Sequence, residues 1–347
     1  MSFRSWLSVV TLVFIAVIIY FSRGELVHAF ELLSSVNIWI LLLLIPGQLL
    51  VYYAAGEMIF SYLRAKKSID EVPGHELTRM SLEMNFVNHI LPSGGVSGVS
   101  YMGWRLGKYG VSPGRATMAQ VVRYAMTFVA FIALLAIAVL VVTIDGNINR
   151  WIILVSSSLV GVMLAAIFGG IYLMGNQARM AAFAGWLTRN TNRLVRRLTF
   201  GKVKHVLNHK KVDTFFDEMH HDYEALRNDK GMLVKPLLWG VLYTIADVSL
   251  FLITFWALGV PVNPAPILIA YGVATLAGFF VVTPGGAGAY EAIMVAFLAV
   301  AGLSQGTAIA GIVLTRVILL LGTIILGYVF YQHAILKYGK GKSPIKR

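Results

Sequence analysis

Thr283-Pro284-Gly285-Gly286-Ala287-Gly288-Ala289-Tyr290-Glu291 sets a proline, three glycines and a carboxylate inside an apolar run that extends from Val260 to Leu303. Ordinary packing between membrane helices does not ask for such an interruption. A counterpart stands 192 positions earlier, Leu91-Pro92-Ser93-Gly94-Gly95-Val96-Ser97-Gly98, with Pro92 in the place of Pro284. The chain reads as two frames built around these two breaks.

The setting of both breaks is apolar. Of 347 residues 58% are hydrophobic and only 13% charged, with a mean hydropathy of +0.74, whereas soluble domains carry about 25% charged residues. Several windows hold about 20 mainly apolar residues, the length that crosses about 30 Å of hydrocarbon as a helix. Strand-like alternation, which a membrane barrel needs, is missing from them. The expected fold is therefore all-α, a polytopic integral membrane helical bundle. The net charge of +13 does not point to nucleic acid, because the basic residues lie between and after apolar helices rather than on a basic domain. With no cysteine, disulfides and thiolate metal sites are excluded.

Taken in order, Trp6 to Phe21 reads as a retained helix, since no A-x-A-like cleavage site follows it. Val36 to Tyr62 is a second span and carries Glu57; the basic cluster Arg64-Ala65-Lys66-Lys67 follows. Leu77 to Ile90 is short and polar, Pro92 stops it, and Val96 to Lys108 resumes, which together give a re-entrant hairpin. Breaks at membrane depth persist only when protein or water shields them. Ala116 to Val142, with Arg123, and Trp151 to Met174 are further spans joined by the polar turn Asp145-Gly146-Asn147. Met232 to Leu258 contains Asp247, Pro264 to Val282 and Ala287 to Ala301 flank the second break, and Gly306 to Tyr331 contains Arg316.

Gly175 to Gly231 is an insert with eleven Lys or Arg and six Asp or Glu. Trp186, Leu187, Leu194, Val195 and Leu198 interleave with Arg189, Arg193, Arg196 and Arg197, the pattern of a basic amphipathic helix on an anionic lipid surface. A solvated helix bundle joining two membrane halves is the competing reading. With both termini cytoplasmic, only Arg23 and Arg150 of the 29 Lys and Arg fall outside and only Arg123 and Arg316 fall within the membrane. That asymmetry sets the expected orientation in the plasma membrane.

At an offset of 192, Met102 aligns with Met294, Gly110 with Gly302, Ser112 with Ser304, Gly114 with Gly306 and Ala116 with Ala308. Within one membrane domain, residues 1–347, the first repeat spans 36–143, the insert 175–231, the second repeat 232–333 and a basic cytoplasmic tail 334–347. From the charge-derived sides, the first hairpin enters from the cytoplasm and the second from outside. Two inverted repeats with discontinuous helices at matched places point to a transporter with a midplane site.

A helix that begins inside the membrane leaves its first N–H groups unpaired and aims its positive dipole end at the break, which suits an anion. On this reading Pro92, Ser93, Gly94, Gly95 and Gly98 form one tip of a substrate site, and Pro284, Gly285, Gly286 and Gly288 the other. The plainer alternative is that the glycines only allow close helix crossing. Arg123 and Arg316 are placed to pair with a lipid phosphate, and Glu57, Asp247 and Glu291 to balance those arginines, meet an amine or carry protons. Structural Arg–carboxylate pairs are the rival account. No metal or cofactor is expected: His205 and His209 lack the Glu of a zinc hydrolase helix, and no Gly-x-x-x-x-Gly-Lys-Ser/Thr loop exists for ATP.

Across nearly the whole chain, and most specifically at Pro284-Gly285-Gly286-Ala287-Gly288-Ala289-Tyr290-Glu291, the sequence resembles the lysylphosphatidylglycerol synthase transmembrane, or flippase-like, family, whose pattern is Pro-Gly-Gly-x-Gly-x-x-Glu. Asn85, Asn88 and Pro92 are a looser match, and Gly302-Leu303-Ser304 and Arg316 follow in the same order. The resemblance implies translocation between leaflets of a phospholipid such as aminoacylated phosphatidylglycerol, or of a lipid-linked carrier. In those synthases a soluble aminoacyltransferase domain follows the membrane part. No counterpart occurs before Arg347, so a transporter is expected rather than an enzyme. The alternatives are a membrane-embedded aminoacyl- or glycosyl-transferase, or a non-catalytic partner of a separate lipid-modifying enzyme.

Overall fold

The computed structural model describes residues 36–91, 93, 95–144, 150–198, 207–278 and 288–339, with isolated positions 20, 23, 24, 27, 31 and 34. Among the described residues every regular element is helical, and five helices are long and apolar enough to cross a membrane. The chain is an all-α multi-pass membrane protein. The expected span Trp6 to Phe21 apart from Tyr20, the turn at 145–147 and the residues after 339 lie outside the described residues.

A short turn, α1 (Ile38–Leu41), leads into α2 (Leu44–Ala65). Two shorter helices follow, α3 (Gly74–Ile90) and α4 (Val96–Gly107), then the long α5 (Pro113–Ile144) and α6 (Arg150–Met174). The insert is a pair of helices, α7 (Gln177–Leu198) and α8 (His209–Asn228). After a 3-10 turn at Lys230–Leu233 come α9 (Val234–Ala257), the shorter α10 (Pro264–Gly278) and α11 (Ala289–Val300), and the long α12 (Gln305–Tyr338). Proline is tolerated in a first helical turn, where its missing N–H has no partner to lose, and Pro113 and Pro264 both open helices. The last helix runs beyond the expected Tyr331 because Ala334, Ile335 and Tyr338 are buried, a packing need that the nearby Gln332, His333 and Lys337 hide.

The local turns recur 192 positions apart. Helix α5 is entered through Gly110 at φ +86, with Val111 N bonded to Leu106 O at 3.3 Å and Ala116 N to Ser112 O at 2.9 Å. Helix α12 is entered through Gly302 at φ +97, with Leu303 N to Leu298 O at 3.0 Å and Ala308 N to Ser304 O at 2.9 Å. A serine hydroxyl caps each start, Ser112 for Arg115 N and Ser304 for Thr307 N. The ends of α2 and α9 match as well: Ser68 N bonds Leu63 O and Val260 N bonds Phe255 O, both at 3.0 Å, around Lys67 at φ +52 and Gly259 at φ +75. Lys67 takes this left-handed conformation although a side chain disfavours it by about 1–2 kcal/mol.

Packing repeats in the same way. Helices α2 and α9 run antiparallel: Asn37 N bonds Ala257 O at 2.9 Å, Gly47 faces Leu250, and Gly240 faces Met58. Each of α3–α4 and α10–α11 folds back on itself, and α5 packs on α10 as α12 packs on α3. In both cross-frame contacts a glycine meets a phenylalanine, Gly272 against Phe131 and Gly327 against Phe86. Glu76 at the start of α3 reaches Arg105 at the end of α4 and Lys337 at the end of α12. The α3–α4 hairpin therefore begins and ends at one end of the bundle, while Gly95 between its arms lies against Tyr124, well inside α5.

That same end carries the insert. Phe216, Met219 and Leu226 of α8 and Met180 and Ala184 of α7 join the core formed by α2, α3, α4 and α5. Glu218 accepts from Gly114 N at 3.0 Å, and the buried Asp222 accepts from Lys66 Nζ at 3.2 Å and Arg115 Nε at 3.2 Å. The outer side of α7 exposes Trp186, Leu194, Arg189, Arg193, Arg196 and Arg197, so a packed helical pair presents the basic, aromatic face read in the sequence. Asp222→Asn should cost about 1–3 kcal/mol and speed tryptic cleavage at Lys210 and Lys211. An unchanged melting curve and cleavage rate would show that this contact does not hold the insert.

Candidate functional site

The second break leads into α11, whose first turn carries Glu291. One of its oxygens accepts from Gly288 N at 2.7 Å and the other from Arg316 Nε of α12 at 2.6 Å. The carboxylate thus stitches the break to the following long helix. The Arg316 guanidinium lies 4.5 Å from the Tyr290 ring centroid, a cation–π contact that further offsets the cost of placing the charge in a membrane. Asp247 of α9 accepts from the Tyr271 hydroxyl of α10 at 2.6 Å, and Tyr243 stands beside them. Asp247, His89 of α3 and Tyr52 of α2 all lie within electrostatic reach of Arg316. Both frames therefore contribute to one polar centre.

Tyr271 and Tyr243 also face a cavity of about 130 Å³ between α5, α6, α9 and α10. Arg123, Tyr124, Thr127 and Thr275 line it with them. Arg123 is only 7% exposed. Its contacts are a weak one to Met84 Sδ at 3.6 Å and the neighbouring Tyr124 ring at 5.4 Å. Among the described residues it forms no ion pair, unlike Arg316.

At the first break, Ser93 Oγ accepts from Ser97 N at 3.0 Å and Asn88 Oδ1 from Gly98 N at 2.9 Å. Side chains of the hairpin itself thus cap the start of α4, and these N–H groups, expected to be open to an anion, are occupied. A side chain at Gly98 would collide with Asn88, and Gly95 adopts φ +90. Both glycines are required by the turn. Pro92, Gly94, Pro284, Gly285 and Gly286 lie outside the described residues.

Glu57 does not join the arginines of the centre. It forms a two-pronged pair with Arg64 two turns along its own helix, at 2.7 and 2.8 Å. Asn85 bonds Ser81 O within α3. Conversely, Tyr243, Tyr271, Tyr290 and His89 belong to the centre or its lining and were not singled out in the sequence. A tyrosine in an apolar span was the available signal, since its hydroxyl needs a partner when buried. A second polar cluster also went unread: Arg105, 1% exposed, bonds Glu83 at 2.7 Å and Glu76 at 3.1 Å.

Comparison with known proteins gives three findings. The family model described as lysylphosphatidylglycerol synthase TM region matches residues 6–327. Two proteins of Methanothermobacter thermautotrophicus, each described as a UPF0104 membrane protein, are similar to this chain. One is 24% identical over 67% of this chain and 67% of its own length, and the other 25% identical over 61% and 59%. No solved structure matches.

Proposed function

The chain belongs to the lysylphosphatidylglycerol synthase transmembrane-region family, and from that membership we propose that it moves a phospholipid, or a lipid-linked carrier, between the leaflets of the membrane. The observation that carries this reading is the antiparallel seam of α2 and α9 between frames with the same turns. Helices of equal role that span a membrane in opposite directions are related by an axis in the membrane plane, which supports reading the frames as inverted repeats. On this reading α3–α4 and α10–α11 are re-entrant hairpins that reach the midplane from opposite faces. Broken helices at matched places of inverted repeats mark the binding region of transporters that alternate access.

The basic end of the bundle, with Arg64, Lys66, Arg115, Lys337 and the insert, faces the cytoplasm by the positive-inside rule. The head group passes between the two breaks beside Arg123 and Arg316, while the acyl chains stay in lipid. Asp247 and Glu291 balance Arg316 there, and the exposed basic face of α7 rests on anionic head groups.

Reconstitution of the purified chain in vesicles that carry a head-group-labelled fluorescent phospholipid tests this. Protein-dependent exposure of inner-leaflet label to a membrane-impermeant quencher is expected. Equal accessible fractions with and without protein would sink the reading. Glu291→Gln removes the charge that neutralises Arg316, and the transport rate should fall about tenfold, the equivalent of 1.4 kcal/mol. An undiminished rate would remove Glu291 from the site.

A further inference from the structure

We propose that the cavity beside Arg123 is a phosphate subsite, and that the two arginines, one position out of register in the repeat, are unequal in use. A guanidinium at mid-span costs about 2.5–3.5 kcal/mol on insertion scales. Arg316 offsets this with Glu291 at 2.6 Å. Arg123 has a thioether at 3.6 Å instead, a weak acceptor that carries no charge. The group is 7% exposed, and its open side is a cavity of about 130 Å³, well above the roughly 10–15 Å³ that one water needs.

A phosphate oxyanion is the ligand whose chemistry completes this site. It supplies the missing negative charge, and its oxygens match the planar fork of the guanidinium in a two-bond geometry that a single water does not provide. Tyr243 and Thr275 add hydroxyls to the lining. The location agrees with a head group in transit. Arg123 lies ten residues into α5, about 15 Å from its start, and a side chain at Gly95 of the first break would meet the hydroxyl of the adjacent Tyr124. The source of the phosphate as a lipid head group rests on the translocase reading above; the anion site itself does not.

The full chain, purified in a sugar-based detergent, is melted with dihexanoyl-phosphatidylglycerol, with dihexanoylglycerol as the phosphate-free lipid, or with inorganic phosphate. At ten times its dissociation constant the phosphorylated lipid should raise the melting temperature by about 3 °C, and dihexanoylglycerol should not. Arg123→Gln should abolish the shift. So should Thr275→Trp, which fills the cavity and leaves the arginine in place and so decides the matter if Arg123→Gln fails to fold. Lys210→Gln on the insert should keep the shift. Retention of the full shift in both cavity variants, or an equal shift with dihexanoylglycerol, overturns the subsite. A shift with inorganic phosphate and none with the lipid overturns the head-group source. An Arg123-dependent shift in a chain that moves no lipid removes the translocase reading and leaves the subsite. Translocation that is equally fast in Arg123→Gln does the reverse.

Discussion

Arg105→Ala should destabilise the purified protein by about 3–5 kcal/mol, the range for removing one partner of a buried ion pair. Its Nε bonds Glu83 at 2.7 Å, its Nη2 bonds Glu76 at 3.1 Å, and its guanidinium covers the Tyr338 ring at 4.2 Å. Without it Glu83, 2% exposed, keeps only the Tyr101 hydroxyl at 3.0 Å. Glu76 still holds Lys337 at 3.2 Å, so the damage falls on Glu83. The joint change Arg105→Met with Glu83→Leu removes both charges and should recover most of the loss, because a buried pair replaced by apolar groups of similar volume is often close to neutral. Thermal melts of the three proteins in one detergent make the comparison. If Arg105→Ala melts with the wild type, or if the double variant is no better than the single one, the cluster is not held by this charge pair.

Gly327→Ala should cost about 1–3 kcal/mol, the range for overpacking a filled core, although alanine is the better helix former by about 1 kcal/mol. The added methyl would lie 2.3 Å from Phe86 Cβ and 2.9 Å from its Cγ. A ring tip can rotate aside. A Cβ is fixed by the backbone, so α12 and α3 must separate. Gly311→Ala meets the far edge of Phe255, Cε1 at 2.2 Å and Cζ at 2.5 Å, and should be the milder of the two. Gly161→Ala on α6 meets nothing within 4 Å and should gain rather than lose stability. A melt in which Gly327→Ala matches Gly161→Ala would show that the α3–α12 seam yields without cost.

Several parts of this fold are written in adjacent residues and were legible for that reason. The Gly-x-Ser entries at Gly110 and Gly302 name their own turn, since glycine accepts the positive φ and serine caps the next helix. The spans follow from hydropathy over about 20 residues. Pairings across the bundle are different. Glu291 and Arg316 stand 25 positions apart, and their contact depends on how α11 meets α12. Arg105 and Glu83 looked like ordinary polar residues of short helices, and only the folded hairpin shows them buried together. Glu57 was misleading for a local reason: Arg64, two helical turns away, reaches it before any distant arginine can. The tyrosines were hidden by their bulk, which serves an apolar span equally well whether or not the hydroxyl is used.

The seam of α2 and α9 joins the two frames through helices that run in opposite senses. Arg123 is ten residues into α5 and Arg316 eleven into α12, about 15 and 16 Å from the ends where those helices begin. Tyr338 at the far end of α12 meets Tyr109 just before α5, so Arg123 lies about 15 Å and Arg316 about 33 Å along their helices from that common end. The two basic positions therefore differ in level as well as in company, for Arg316 holds a carboxylate and Arg123 a thioether.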